Sequence, residues 1–502
     1  MNLQTQLQQL FQGMTPGSSN AVLGGSMGGA LEDIADLQKA LEASNYQTDV
    51  STLTGGGALG VQSLDSVLKA TIQENEHFVL FNKLASTNAT NIVDEYIRQT
   101  GVGGFLGGST NTQMGVVRTA QGEYSREVGF VKFLMTMRQV GYVLNIGKNV
   151  VEATAVEEMA GGRQLLTDAE YLLFYGNAAA CPTEFDGIFA QIDAEIAAGK
   201  MSPDNVYDMD GEPLNTVEPF SVINAAVSAY GSWGQTTDLF LPYAVQTDLN
   251  MGLDPAFRWS SQQGTKLEIG GHVEGIRLQN GVLKTNLDTF LHHDEFPMAM
   301  PFEVHHADIA AANAAFTPAA VAVDAADSDS ESRFSAARAG NYYWAVAAIG
   351  GTGQGQSPVI KTDQTAVASG KVAELTITKS AAGTETGYAI YRSRLNGTND
   401  TDDLRLVKII PRTGNSTVYV DKNRDIPGSC AVPVLNMKPG SDAIGWRQFQ
   451  PMTKIPLPFG VGGMPVHSWF QFLFGYLRMT KPKHHGFIKN IVPGAAKWKP
   501  FG

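Results

Sequence analysis

The chain has 502 residues, of which 43% are hydrophobic and 17% are charged, and its formal net charge is −13. This composition is typical of a globular protein with room for roughly two or three domains. The acidic balance argues against a protein that binds nucleic acid by neutralising phosphates, because that mode needs clustered Lys and Arg side chains.

The targeting signals and the cysteines of the sequence restrict the kind of protein further. Residues 1–31 carry no charged side chain, so the basic start of a secretory signal is missing, and no stretch of about 18 consecutive apolar residues occurs. Cys181 and Cys430 are the only cysteines and lie far apart in the sequence, which argues against a disulfide framework and a zinc motif. We expect a protein that folds in a reducing cytosol and does not span a membrane.

The N-terminal region, residues 1–74, is predicted to be an arm rather than a domain. It mixes Gln, Ser, Gly and Ala, and its one clear helical pattern offers a single apolar stripe with no second layer to pack on. We therefore expect the arm to contact a partner surface, with a partly disordered tail as the alternative. The residues predicted to make this contact are Leu31, Ile34, Leu37 and Leu41.

A long β-hairpin is predicted next. Residues 101–122 are rich in Gly, Thr, Asn and Ser, and the segments around them are rich in β-formers, which predicts strands over 78–81, 92–97, 130–137 and 140–146. The tip of the hairpin carries apolar side chains without obvious cover in their own subunit, so we expect them to contact another subunit. The candidate contact residues are Phe105, Leu106, Met114, Val116, Val117 and Arg118.

A long amphipathic helix follows, over about residues 149–176. Apolar side chains recur at helical spacing from Val151 to Leu173. The chain then mixes helix and strand patterns, including a turn signal at Asn280-Gly281. The predicted elements are a helix over 222–230 and strands over 239–241, 266–273 and 275–283.

The composition changes sharply after residue 310. Ala, Asp and Ser dominate residues 310–332, which predicts a linker. Short alternating strands then recur at regular spacing, which is typical of a β-sandwich, and after Pro433 the earlier Gly- and Pro-rich style returns. We interpret this as a module at 313–435 inserted into a larger domain made of 75–312 and 436–502. The strands predicted for the module are 342–349, 372–377, 387–391, 404–410 and 416–420.

The order of arm, Gly-tipped hairpin, long helix and mixed region resembles the major capsid proteins of tailed bacteriophages with the Hong Kong 97-type fold. Two stretches carry the resemblance further: VINAAVSAY followed by TDLFLPYAVQTDL within 221–249, and FQFLFGYLRMTKPKHHGFIKNIV at 470–492. The first is similar to the helix and strand that enter the family's axial domain, and the second to its closing strands. The insert resembles immunoglobulin-like or fibronectin type III-like domains at GNYYWAVA, GYAIYR and YVDKNRDIPG.

The resemblance implies an α+β fold with named parts. These are an N-arm, an E-loop hairpin over about 90–146, a spine helix over about 149–176, a P-domain and an A-domain, with an inserted all-β immunoglobulin-like sandwich. Some relatives join a hairpin lysine to an asparagine of a neighbour, but the tip at 101–122 contains no lysine, so that chemistry is not carried over.

The resemblance also implies a function. Such a homo-oligomer would form hexamers and pentamers of an icosahedral head that passively encloses double-stranded DNA, assembled in the host cytoplasm as part of the virion. Portal, scaffold or decoration proteins would be its partners. The insert would decorate the outer surface, with a host-surface glycan as its candidate ligand.

Two other functions would fit parts of this sequence. An encapsulin-like compartment shell shares the fold but is disfavoured by the long arm and the surface-type insert. A secreted glycan-active enzyme with a fibronectin-like module is disfavoured because the chain shows neither a secretory signal nor a catalytic constellation.

Several motifs that could carry chemistry have simpler interpretations. The doublets His292-His293, His305-His306 and His484-His485 place adjacent side chains on opposite faces of a strand, and GGTGQG at 350–355 does not open a helix. Asp421, Asn423 and Asp425 alternate as calcium ligands would, but the glycine and glutamate that an EF-hand needs further on are absent. We therefore expect no catalytic residue, no cofactor and no bound metal ion.

Overall fold

A computed structural model describes residues 78–146, 152–252, 273–291, 313–350, 355–460 and 463–501. The predicted arm, with Leu31, Ile34, Leu37 and Leu41, lies outside the described residues. The same holds for the doublets His292-His293 and His305-His306, for most of the GGTGQG stretch, and for the strand predicted over 266–273 apart from its last residue.

The described residues form an α+β protein. None of their helices is long and apolar enough to cross a membrane. The helices are α1 (Val79–Lys83), α2 (Tyr142–Ile146), α3 (Ala153–Tyr175), α4 (Ile188–Ala197), α5 (Glu218–Ser228) and α6 (Tyr243–Gly252).

The strands are distributed over the same ranges. Those of the first half are β1 (Ser86–Asn88), β2 (Val93–Gly101), β3 (Glu123–Phe130), β4 (Lys132–Gly141), β5 (Val206–Asp208), β6 (Asp238–Leu241), β7 (Gly275–Leu278) and β8 (Gly281–Leu287). The next are β9 (Ala320–Asp324), β10 (Gly340–Tyr342), β11 (Trp344–Gly350), β12 (Ile360–Lys361), β13 (Thr365–Val367), β14 (Ala373–Thr378), β15 (Glu385–Arg392), β16 (Arg405–Pro411) and β17 (Ser416–Asp421). The last are β18 (Cys430–Leu435), β19 (Ile444–Pro456), β20 (Val466–Met479) and β21 (Gly486–Ile491).

The largest core lies where α3 packs on a four-stranded sheet of order β1-β19-β20-β4, here called the platform sheet. Leu165, Leu173 and Phe174 of α3 are buried in one cluster with Trp446 and Leu473 of the sheet. Of the apolar positions at helical spacing, Ala169 and Leu173 are buried, whereas Met159 is 58% exposed, so the spacing marks the buried side only in the second half of the helix.

The start of the described chain is helical, so the strand predicted over 78–81 is wrong. The buried carboxylate of Glu170 on α3 accepts hydrogen bonds from the backbone N–H groups of Leu80 (2.7 Å) and Phe81 (2.8 Å). Burial, reinforced by the nearby Asp288 carboxylate, raises the pKa of Glu170. A helix needs partners for its first N–H groups, and here that partner comes from far along the chain, where local pattern carries no signal.

A second core lies on a six-stranded sheet of order β5-β21-β18-β6-β8-β7, here called the central sheet. Phe220, Ile223 and Val227 of α5 are buried in it beside Leu241 and Ile488. Strand β18 pairs with β6 and β21, so the range 313–435 given to the inserted module ends one strand too late. The apolar pattern of β18 is compatible with a strand of the module and with a strand of the central sheet. Only its pairing partners show which of the two sheets it belongs to.

Strands between residues 320 and 421 form two facing sheets, of order β12-β11-β15-β16 and β17-β14-β9, here called the sandwich. Its core includes Trp344, Val346 and Ile390 from one sheet and Leu375 and Ile377 from the other. The linker predicted over 310–332 is wrong in part, since β9 lies inside it and pairs with β14. Alanine-rich composition concealed this strand, because alanine is depleted in strands generally.

Candidate assembly surfaces

The chain leaves the platform sheet as an antiparallel hairpin of β2 and β3, paired from Val93↔Phe130 to Gly101↔Glu123. The range of about 90–146 assigned to the E-loop is too long at its end. Strand β4 pairs with β20 inside the platform sheet, so the predicted strand over 130–137 does not close the hairpin. The strand predicted over 140–146 gives way to α2 after Gly141.

All six candidate contact residues of the hairpin lie on its tip, residues 102–122. The five apolar ones are between 64% and 98% exposed within the described structure, and Arg118 is the only charged residue of the tip. The Arg118 guanidinium lies 5.8 Å from the centre of the Phe105 ring, a cation–π distance. The structure therefore brings Arg118 and Phe105 together and leaves the tip's apolar side chains facing solvent: Phe105, Leu106, Met114, Val116 and Val117.

The base of the hairpin is held by a buried carboxylate, Asp94, that no pattern in the sequence indicates. Asp94 accepts a bidentate pair of hydrogen bonds from Arg447 at 2.8 and 2.9 Å and another from the Tyr476 hydroxyl at 2.7 Å. Burial alone would raise the pKa of Asp94, but the hydrogen bonds from Arg447 and Tyr476 outweigh it and hold the pKa below its ordinary value. Asp94 is therefore ionised and fixes the angle at which β2 leaves the sheet.

Two further contacts hold the same base. Arg98 donates to Glu195 of α4 at 2.9 Å, which ties β2 to the body of the protein. Gly129 of β3 passes over the Tyr476 ring so closely that a Cβ there would lie 2.3 Å from ring atoms. Only glycine permits this approach, so both strands of the hairpin are anchored while its tip projects.

The second candidate surface is the side of the platform sheet that faces away from α3. Phe133, Met135 and Met137 of β4 lie there, directly opposite Phe474, Phe472 and Phe470 of β20. Residues directly opposite in an antiparallel pair share a face. The three β4 side chains are 46–60% exposed within the described structure, so this is an apolar sheet face open to solvent.

The opposite side of the same strands is covered by α3. The Gln471 side chain of β20 donates to the Glu158 carbonyl oxygen of α3 at 2.9 Å, and Thr136 of β4 bonds Gln164 of α3 at 3.1 Å. The signal for a second apolar face was present in the sequence, because 472–474 and 476–477 are runs of consecutive apolar residues. A strand with one solvated face should alternate instead.

The sandwich is docked on the rest of the protein by apolar contacts on one side. Cys181, from the loop after α3, is buried in a cluster with Ala345, Ile349 and Tyr391 of the sandwich. In the same place the Thr386 hydroxyl donates to the Ala180 carbonyl oxygen at 2.7 Å. The sandwich therefore shares a buried seam with the loop that follows α3.

Charged and aromatic contacts hold the sandwich elsewhere. Arg333 and Arg338 of the sandwich region donate to Asp208 and Asp210, both at 2.6 Å. From the C-terminal segment, the indole N–H of Trp498 donates to Asp403 at 3.0 Å. These contacts hold the module firmly in place.

The remaining sequence candidates have structural roles. Asp421 and Asn423 accept hydrogen bonds from the buried Arg392 at 2.6 and 2.7 Å, which engages the oxygens that a cation would need. His485 is fully buried and accepts a hydrogen bond from the Asn436 N–H, and burial lowers its pKa to about 3. Within the described residues, no cluster of three or more His, Cys, Asp or Glu side chains is arranged to hold a metal ion.

Comparison with known proteins gave matches among solved structures alone. No protein-family model matches the chain, and no curated protein does. The capsid of a native GTA particle is 7% identical with a TM-score of 0.45, covering 89% of this chain and 100% of that one. A structure from Mycobacterium phage Ogopogo is 8% identical with a TM-score of 0.43, covering 87% and 99%.

A third similar structure is an encapsulin. The holo-SrpI encapsulin complex from Synechococcus elongatus PCC 7942 is 8% identical with a TM-score of 0.36, covering 89% of this chain and 97% of that one. The solved structures similar to this chain thus include the capsid of a GTA particle, a structure from a Mycobacterium phage and an encapsulin. All three TM-scores are below 0.5.

Proposed function

We propose that the chain is the major capsid protein of a tailed phage, a shell subunit without a catalytic role. The observation that carries the proposal is a hairpin anchored at its base whose tip presents exposed apolar side chains. In this proposal the subunits form hexamers and pentamers of an icosahedral head around double-stranded DNA. The acidic net charge of −13 suits passive enclosure of DNA rather than its condensation by basic side chains.

The hairpin tip is proposed to lie on the free face of the platform sheet of a second copy. The nine residues of β2 span about 30 Å, and the apolar side chains of the tip at the end of this ribbon are exposed within the described structure. Each 100 Å² of apolar area buried between copies would contribute about 2.5 kcal/mol. Because tip and sheet face are different surfaces, the contact is head-to-tail and closes into rings when its rotation divides a full turn.

Electron microscopy of the purified full chain tests the proposal. We expect large polyhedral shells, with DNA when they are isolated from a host that packages it. Small shells containing protein cargo would instead support an encapsulin-like compartment. A chain that stays monomeric at high concentration would contradict both shell functions.

We further propose that the sandwich is an immunoglobulin-like or fibronectin-like module on the outer surface of the shell. Its separate core and its exit into β18 of the central sheet support an insertion, which would then end before β18. The test replaces residues 315–428 with a Gly/Ser linker and Trp498 with Ser, because Trp498 would lose its cover. Shells of unchanged diameter without outer knobs are expected, and loss of all shells would show that the module builds the shell itself.

A further inference from the structure

The loop that follows α5 carries two exposed aromatic side chains that the shell function does not use. Tyr230 is 75% and Trp233 is 68% exposed within the described structure, and their ring centres lie 5.0 Å apart in an edge-to-face arrangement. Exposed Trp and Tyr rings placed side by side offer an apolar surface with polar edges. Such a pair on an otherwise polar loop points to a ligand.

The loop is held in a strained conformation. Trp233 has φ +56°, a left-handed backbone that a bulky side chain rarely adopts. Its neighbours are tied down, since the Gly234 N–H donates to the Val227 carbonyl oxygen at 2.9 Å and a His484 ring nitrogen lies 2.9 Å from the Ser232 carbonyl oxygen. Strain that the surroundings maintain in this way is characteristic of binding sites.

Beside Trp233 lies an open cleft of about 530 Å³, a size usual for small-ligand sites. Asn280 stands at its wall, where its side-chain N–H₂ donates to the Ser228 hydroxyl at 2.9 Å and to the Gly234 carbonyl oxygen at 3.0 Å. The described lining residues carry hydroxyl, amide, aromatic or small side chains and none is charged: Ser221, Asn224, Ala225, Ser228, Trp233, Gly234, Gln279 and Asn280.

We propose that this cleft binds a neutral oligosaccharide. The C–H face of a sugar ring packs on an aromatic ring, and amide and hydroxyl groups both donate to and accept from sugar hydroxyls. A charged ligand would lose its hydration in the cleft without gaining an ion pair. The site lies on the central-sheet domain, apart from the sandwich, and does not depend on the proposed shell function.

The test measures binding of maltohexaose, cellohexaose and chitohexaose to the purified full chain by saturation-transfer NMR and tryptophan fluorescence. We expect at least one of these neutral probes to bind with a Kd in the millimolar range or below. Trp233→Ala should weaken that binding by roughly tenfold or more, the loss of one stacked ring. Tyr243→Ala, which removes an exposed aromatic ring on α6, is the matched control and should leave binding unchanged.

Three results would overturn the proposal. The first is that none of the three probes binds the wild-type chain. The second is binding that Trp233→Ala and Tyr243→Ala affect equally. The third is burial of Trp233 on assembly, seen as a blue shift of its fluorescence, together with loss of probe binding by the assembled form, since the aromatic pair would then be a contact between subunits.

Discussion

The hairpin and the sandwich both leave the core and return to it, but the hairpin exposes its apolar side chains and the sandwich buries them. The hairpin tip leaves its apolar residues exposed, whereas the sandwich buries Trp344, Leu375 and Ile377 completely within the described structure. Each region contains a buried carboxylate paired with an arginine. At the hairpin it is Asp94 with Arg447 at 2.8 Å, and in the sandwich it is Asp421 with Arg392 at 2.6 Å.

The difference follows from the number of layers. A two-stranded ribbon has no second sheet to cover its side chains, so its arginine pair can do no more than fix its base. Two facing sheets enclose a core, and there the Arg392 guanidinium lies against the rings of both Phe334 (5.5 Å) and Tyr342 (5.3 Å). We infer that the sandwich is stable within one subunit and that the hairpin tip gains its cover from another.

Removing the tip should have the largest effect. With residues 105–117 replaced by a short Gly/Ser linker, we expect a soluble, folded subunit that forms no shells, because the contact between copies is lost. Circular dichroism checks that the subunit is folded, and electron microscopy checks whether shells form. Val418→Ser, which alters an exposed apolar residue of the sandwich, is the control and should leave assembly intact. Normal shells from the tip deletion would contradict the proposed contact.

Placing charges on the free face of the platform sheet should have the next largest effect on assembly. Met135→Asp with Met137→Asp places two carboxylates where the tip is proposed to lie, so assembly should need a roughly tenfold higher subunit concentration or more. Light scattering against concentration measures this. Met251→Asp, at a methionine 77% exposed on α6, is the matched control. Equal effects of the two variants would show that the face is not the partner of the tip.

Breaking the pair inside the sandwich should cost stability rather than assembly contacts. Arg392→Met leaves Asp421 buried without its cation, which typically costs about 3 kcal/mol or more in the free energy of unfolding. Hydrogen exchange should show lost protection confined to the sandwich strands. Arg424→Met removes a half-exposed arginine near Glu331 and should cost about 1 kcal/mol or less. Lost protection throughout the chain would mean that the sandwich does not fold as a separate unit.

The hairpin base should show the smallest effect and a particular pH dependence. Asp94→Asn removes a charge-assisted bond and should cost about 1–2 kcal/mol. Because the folded-state pKa of Asp94 is lowered, its contribution is present above the ordinary carboxyl value of about 4 and is lost as the pH falls through the folded pKa.

Hydrogen exchange of β2 and β3 against pH measures this dependence. The wild-type hairpin should lose protection on acidification more steeply than the Asp94→Asn variant. Glu95→Gln, on the same strand in a more exposed pair with Arg126, provides the control. Identical acid profiles for wild type and Asp94→Asn would assign the anchoring to other contacts.

Features that depend on neighbours in sequence could be predicted from the sequence. Helical spacing identified α3, and the alternation and spacing of strands identified β14 to β17, because these periodicities are local. The exposed apolar tip was predictable for the same reason: the glycine-rich stretch at 101–122 contains few residues able to build a core.

Tertiary structure alone decided which distant residues meet. Asp94 and Arg447 are 353 positions apart, and Leu80 and Glu170 are 90 apart, so no local pattern links them. The same reason explains the misplaced ends of the hairpin and the sandwich. The composition of a segment predicts that it forms a strand. The sheet that this strand joins depends on contacts that form only when the whole chain has folded.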